Sequence, residues 1–116
     1  MGSDGKETWP QDGEGPVREI KLSPFWIDET TVTNEKFSAF VAETDYLTDA
    51  ERIGWSFVFS DLVPKATTRK GKTRTVAGKE WWLGVEGANW RKPAGSGTNV
   101  KKIMDHPVAH VSWNDA

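Results

Sequence analysis

The chain has 116 residues, of which 7 are Trp and none is Cys; it carries a formal net charge of −2, with 28% charged and 36% apolar residues. That balance argues against general affinity for nucleic acid or an anionic membrane, no apolar run is long enough to span a bilayer, and the absence of cysteine rules out disulfides, zinc–thiolate sites and a thiol nucleophile within these residues. A polar chain the length of one small domain must bury itself through a few large rings, and is expected to lean on sequence it does not contain.

Residues 1–16 are rich in Gly, Asp, Glu and Pro and read as an irregular, solvated lead-in. They lack the apolar core of a signal peptide, and Asp12 and Glu14 match no calcium-loop spacing. Residues 17–27 read as extended, with Arg18, Ile20 and Leu22 on one side and Pro24 marking a bend or an edge. Thr33 is placed to cap a helix running to about Thr44, because its hydroxyl can accept from a free N–H of the first turn. Phe37, Phe40 and Val41 form that helix's apolar stripe, and Asp45 takes the turn after it. Thr48-Asp49-Ala50-Glu51 fits a capping box, predicting a short helix to Ile53 that ends at Gly54. Trp55-Ser56-Phe57-Val58-Phe59 alternates as a strand, with the aromatics on one face and Ser56 and Val58 on the other.

Residues 61–80 set six Lys and Arg against Asp61 and Glu80 and read as a long solvated excursion. No aromatic interleaves there to stack on bases, which argues against nucleic-acid binding. Trp81-Trp82-Leu83-Gly84-Val85-Glu86-Gly87-Ala88-Asn89-Trp90-Arg91-Lys92-Pro93 packs three tryptophans and two glycines into thirteen residues. Its residues allow two readings. One is a core segment with an irregular backbone; the other is a groove wall that sets Trp90 and the Ala88-Asn89 backbone against a bound chain. Residues 94–104 form a loop. In a strand His106 and His110 would point the same way, but two histidines without a third ligand make a weak metal site, and hydrogen-bonded structural roles are preferred. Ser112 is a candidate helix cap with Asn114-Asp115 in the first turn, so the sequence is expected to continue as a helix beyond Ala116. There is no internal repeat, no G-x-S-x-G, no Walker-type loop and no H-E-x-x-H.

Taken together, these stretches resemble the formylglycine-generating enzyme, or sulfatase-modifying factor, family. The more specific ones are Phe57-Val58-Phe59, Gly87-Ala88-Asn89-Trp90-Arg91 and Asp105-His106-Pro107-Val108. Phe25-Trp26-Ile27-Asp28-Glu29-Thr30-Thr31-Val32-Thr33-Asn34, Tyr46-Leu47-Thr48-Asp49-Ala50-Glu51 and Val111-Ser112-Trp113-Asn114-Asp115-Ala116 accompany them. The resemblance spans nearly the whole chain apart from the basic excursion.

It implies an α+β, C-type-lectin-like fold, low in regular secondary structure, of which residues 1–116 are the N-terminal part of a single domain, truncated at its C-terminus. It also implies an activity: oxidation, on copper(I) held by two cysteines, of the cysteine in a Cys-x-Pro-x-Arg segment of an unfolded sulfatase to formylglycine. The cysteine pair and the calcium ligands of the family lie outside this chain. Copper(I) and calcium are therefore expected for the full-length protein and no metal ligand or catalytic residue within these 116 residues, which alone should catalyse nothing. What carries over is part of the substrate groove: Ser56, Ala88, Asn89 and Trp90. The alternatives are the same portion of a non-catalytic paralogue, an accessory domain of an iron-dependent sulfoxide synthase, or another lectin-like binding module.

Overall fold

The computed structural model describes residues 1–116, the side chain of Pro10 excepted. The alternating aromatic stretch forms strand β1, Trp55–Phe59, as its period of two requires. It pairs antiparallel with β3, Trp82–Glu86, in the register Ser56↔Val85 and Val58↔Leu83. On its other side β3 pairs with β2, Thr73–Thr75, giving the sheet order β1-β3-β2. Five of the thirteen residues of the tryptophan block thus form the central strand. Gly84 lies beneath the Trp55 ring, where a Cβ would come within 3.2 Å of the ring carbons.

Helix α1 spans Asn34–Thr44, with Thr33 Oγ1 accepting from the Lys36 N–H and Asp45 closing it in the left-handed region at φ 52°. Asn34 ties α1 to the end of the chain. Its N–H donates to the His106 carbonyl at 2.9 Å and its Nδ2 to the Ile103 carbonyl at 2.8 Å. Helix α2 spans Asp49–Ile53 and carries both bonds of the capping box between Thr48 and Glu51. The mixed α+β architecture agrees with the expected class.

One expectation needs correction. The basic excursion is not structureless: it contains a one-turn helix α3, Lys65–Arg69, as well as β2. Thr73 and Thr75, β-branched and alternating, are suited to a strand, and Lys72 anchors them through its carbonyl to the Glu86 N–H at 3.0 Å. Residues 17–27, read as extended, belong to neither a helix nor a strand. They find no partner ladder among the described residues, and Leu22, Phe25, Trp26 and Ile27 stay exposed.

The lead-in is folded back on itself. The Arg18 N–H donates to the Met1 carbonyl at 2.7 Å, and the Val17 N–H bonds both carboxylate oxygens of Asp4 at 3.2 Å. The core lies in two clusters. Val58, Val63, Val85, Ala88 and Ala94 pack behind the sheet, while Phe37, Val41 and Trp90 pack under α1 together with Val108 and Val111.

Candidate functional site

Strand β1 is an edge strand. The Gly87 N–H donates to the Gly54 carbonyl and the Ser60 N–H to the Trp81 carbonyl, both at 2.8 Å. In an antiparallel ladder bonding alternates, so the main-chain groups of Ser56 and Val58 face β3. Those of Trp55, Phe57 and Phe59 face out of the sheet and meet no partner among the described residues. Beside this edge runs a cleft of about 610 Å³, lined by Phe57, Phe59, Leu62, Trp82 and Ile103 among others. Phe57 is 47% and Phe59 40% exposed, so a ligand entering the cleft would meet bare aromatic surface.

The C-terminal segment crosses this cleft at one point. His110 Nδ1 lies 2.9 Å from Ser56 Oγ, and His110 Nε2 lies 2.9 Å from the Pro93 carbonyl oxygen. A carbonyl only accepts, so Nε2 carries a proton. Burial lowers the His110 pKa, against the smaller opposing pull of the Pro93 carbonyl, and keeps the ring neutral. Nδ1 is then bare, and the Ser56 hydroxyl donates to it. On the far side of the bridge a second hollow of about 220 Å³ is bounded by Ile53, Trp55 and Ser112. Ser56 and His110 belong to the walls of both.

The structure separates the four groove residues expected from the sequence. Ser56 stands in the cleft. Ala88 is fully buried against Val58 and Val85. Trp90 is 2% exposed, edge-on to Phe37 with ring centroids 5.2 Å apart, and the Arg91 guanidinium sits 4.4 Å over its ring. Asn89 spends its side chain on its own turn, Oδ1 accepting from the N–H groups of Arg91 and Lys92. That turn leads into Pro93, whose carbonyl fixes His110. His110 is hydrogen-bonded, as its sequence context led one to expect, but its place at the cleft beside Ser56 was not foreseen. Its backbone is left-handed, at φ 61°, not extended, so the strand geometry that would align it with His106 is absent, and both its ring nitrogens are engaged.

A separate hollow of about 280 Å³ beside α1 is lined by Val32, Phe37, Phe40 and Val111. Its carboxylate, Asp115, already accepts from Tyr46 Oη, the Asp49 N–H and the Ser112 N–H, so the β1 cleft is the better candidate.

There is no cysteine, and among the described residues no three or more His, Asp or Glu side chains group as a metal site.

A family profile described as a sulfatase-modifying factor enzyme 1-like domain matches residues 1–116. The chain is 49% identical to the formylglycine-generating enzyme of Thermomonospora curvata and 48% identical to that of Streptomyces coelicolor. It is 50% identical to the inactive C-alpha-formylglycine-generating enzyme 2 of Bos taurus. Each match covers all 116 residues of this chain but only 38%, 36% and 38% of the respective relative. The chain thus spans just over a third of the length of these curated relatives.

Proposed function

The chain belongs to the sulfatase-modifying factor enzyme 1-like family, and from that membership we propose that it is the N-terminal part of a formylglycine-generating domain that holds an extended sulfatase segment for oxidation. The segment is of the Cys-x-Pro-x-Arg type. The observation that carries the reading is the free edge of β1 beside an aromatic cleft. An added strand would satisfy the outward N–H and C=O groups of Trp55, Phe57 and Phe59, and the cleft would take its apolar side chains.

Within this reading Ser56 meets the segment directly. Ala88, Asn89 and Trp90 act from behind. Ala88 packs against Val58 of β1, Asn89 shapes the turn to Pro93, and Trp90 joins that turn to α1. Copper(I) requires soft thiolates, which these residues do not offer, so no step of the oxidation is assigned to them. Copper and calcium ligands are proposed for the remainder of the full-length protein. The part of this chain is to bind the segment, orient it and exclude water.

The test is calorimetric titration of the full-length protein with a Cys-x-Pro-x-Arg peptide. Phe57→Asp, at an exposed position on the edge strand, should weaken binding about tenfold, because a charge would replace aromatic contact. Unchanged affinity would sink the assignment. A comparable identity, 50%, to an inactive relative supports a second reading, a binding module without oxidase activity. Peptide-dependent oxygen uptake by the full-length protein separates the two.

A further inference from the structure

We propose that Ser56 is a fixed hydrogen-bond acceptor that selects an N–H donor on the bound polypeptide, and that His110 is the positioning residue that fixes it. This rests on the polypeptide-binding reading above. A serine hydroxyl ordinarily donates or accepts according to its partner. Here that choice has been removed. Pro93 offers only a carbonyl, at 2.9 Å, so the ring proton stays on Nε2. Nδ1 then takes the one proton of Ser56, also at 2.9 Å. Ser56 Oγ has no other partner among the described residues, so what it can offer a ligand is its lone pairs.

An amide N–H brought to Ser56 completes the hydroxyl. A carboxylate or carbonyl brought there would set lone pair against lone pair, and a polar group that gives up water without a partner is costly. The bridge stands where the two hollows meet, on the wall of each. A polypeptide that passes from one hollow to the other runs past Ser56, and an N–H not spent on the outward carbonyls of β1 meets its lone pairs there. His110 is held at φ 61°, a conformation most side chains avoid, and from it the ring reaches β1 with one nitrogen and the Pro93 turn with the other.

Cys-x-Pro-x-Arg peptides carrying one backbone N-methyl group each, titrated into the full-length protein, test the assignment. Methylation at one position should weaken binding to the wild type about fivefold, the worth of one hydrogen bond, and cost nothing with Ser56→Ala. His110→Gln has an oxygen to accept from Ser56 and an amide to give Pro93, and should keep the wild-type profile; His110→Leu should lose it. Long-range proton–nitrogen spectra of the unliganded protein should show the Nε2–H tautomer at His110. An Nδ1–H tautomer, or matching N-methyl profiles in the wild type and Ser56→Ala, overturns the proposal. Matching profiles for the Gln and Leu variants overturn the role of His110. Failure of the wild type to bind any of the peptides overturns the polypeptide-binding reading itself.

Discussion

Asp115 shows how much one side chain holds in this fold. Its carboxylate is buried and accepts from Tyr46 Oη at 3.0 Å, the Asp49 N–H at 3.0 Å and the Ser112 N–H at 2.7 Å. Asp115→Ala would leave three donors without an acceptor and should cost about 3 kcal/mol, read as a fall in the urea midpoint of the full-length protein. Burial alone would raise the Asp115 carboxyl, but the Ser112 and Asp49 N–H groups and the Tyr46 hydroxyl outweigh it and hold it below its ordinary value. At His110 burial itself lowers the pKa. In both cases the unfolded chain binds the proton more readily, so stability falls as pH falls. The His110 share is complete above about pH 6.5 and is lost as pH drops through its lower folded value. Stability measured between pH 7 and 5 should therefore decline more steeply in the wild type than in His110→Gln, and equal slopes would contradict a buried neutral imidazole.

The elements divide by how local their causes are. Thr48 is fully buried and both its side chain and its N–H bond Glu51. Thr48→Ala should cost about 1 kcal/mol by loss of the cap alone, seen as a lowered melting midpoint. Gly95 has φ 82°, and a Cβ there would come within 2.9 Å of Val85 Cγ1 and 3.1 Å of the Glu86 carbonyl oxygen. Gly95→Ala should therefore cost more than Thr48→Ala, because it adds strain to a clash. The two caps and the β1 alternation were legible because each lies within a few consecutive residues. β2 was not, because Thr-Arg-Thr sits inside a basic run and becomes a strand only when β3 is placed beside it. Residues 17–27 are the converse case: an extended pattern pairs only where a neighbouring strand lies beside it. At the site, Ser56 could be read as a polar residue in an aromatic strand. Its bond to His110 spans 54 positions and depends on a left-handed residue, which no spacing announces. Nor could the Trp-rich block tell which rings turn inward.

At the scale of the whole molecule, the chain exposes 9521 Å², where a compact monomer of 13.0 kDa would expose about 6,300 Å². Its radius of gyration is 17.5 Å, against about 13 Å for a compact domain of this size. Phe25, Trp26, Ile27 and Trp113 lie open, apolar surface on a scale that soluble monomers rarely leave uncovered. Residues 1–116 expressed alone should accordingly show no cooperative thermal transition, whereas the full-length protein should; a sharp transition in the 116-residue piece would refute this. Polypeptide added to the free edge of β1 is the central event in the proposed function. Amide hydrogen exchange of the full-length protein, with and without a Cys-x-Pro-x-Arg peptide, reads that edge residue by residue. Peptide should slow exchange at Trp55, Phe57 and Phe59 more than tenfold and leave Ser56 and Val58, already paired to β3, unchanged. Bound peptide with no slowing at the three outward amides would contradict the account.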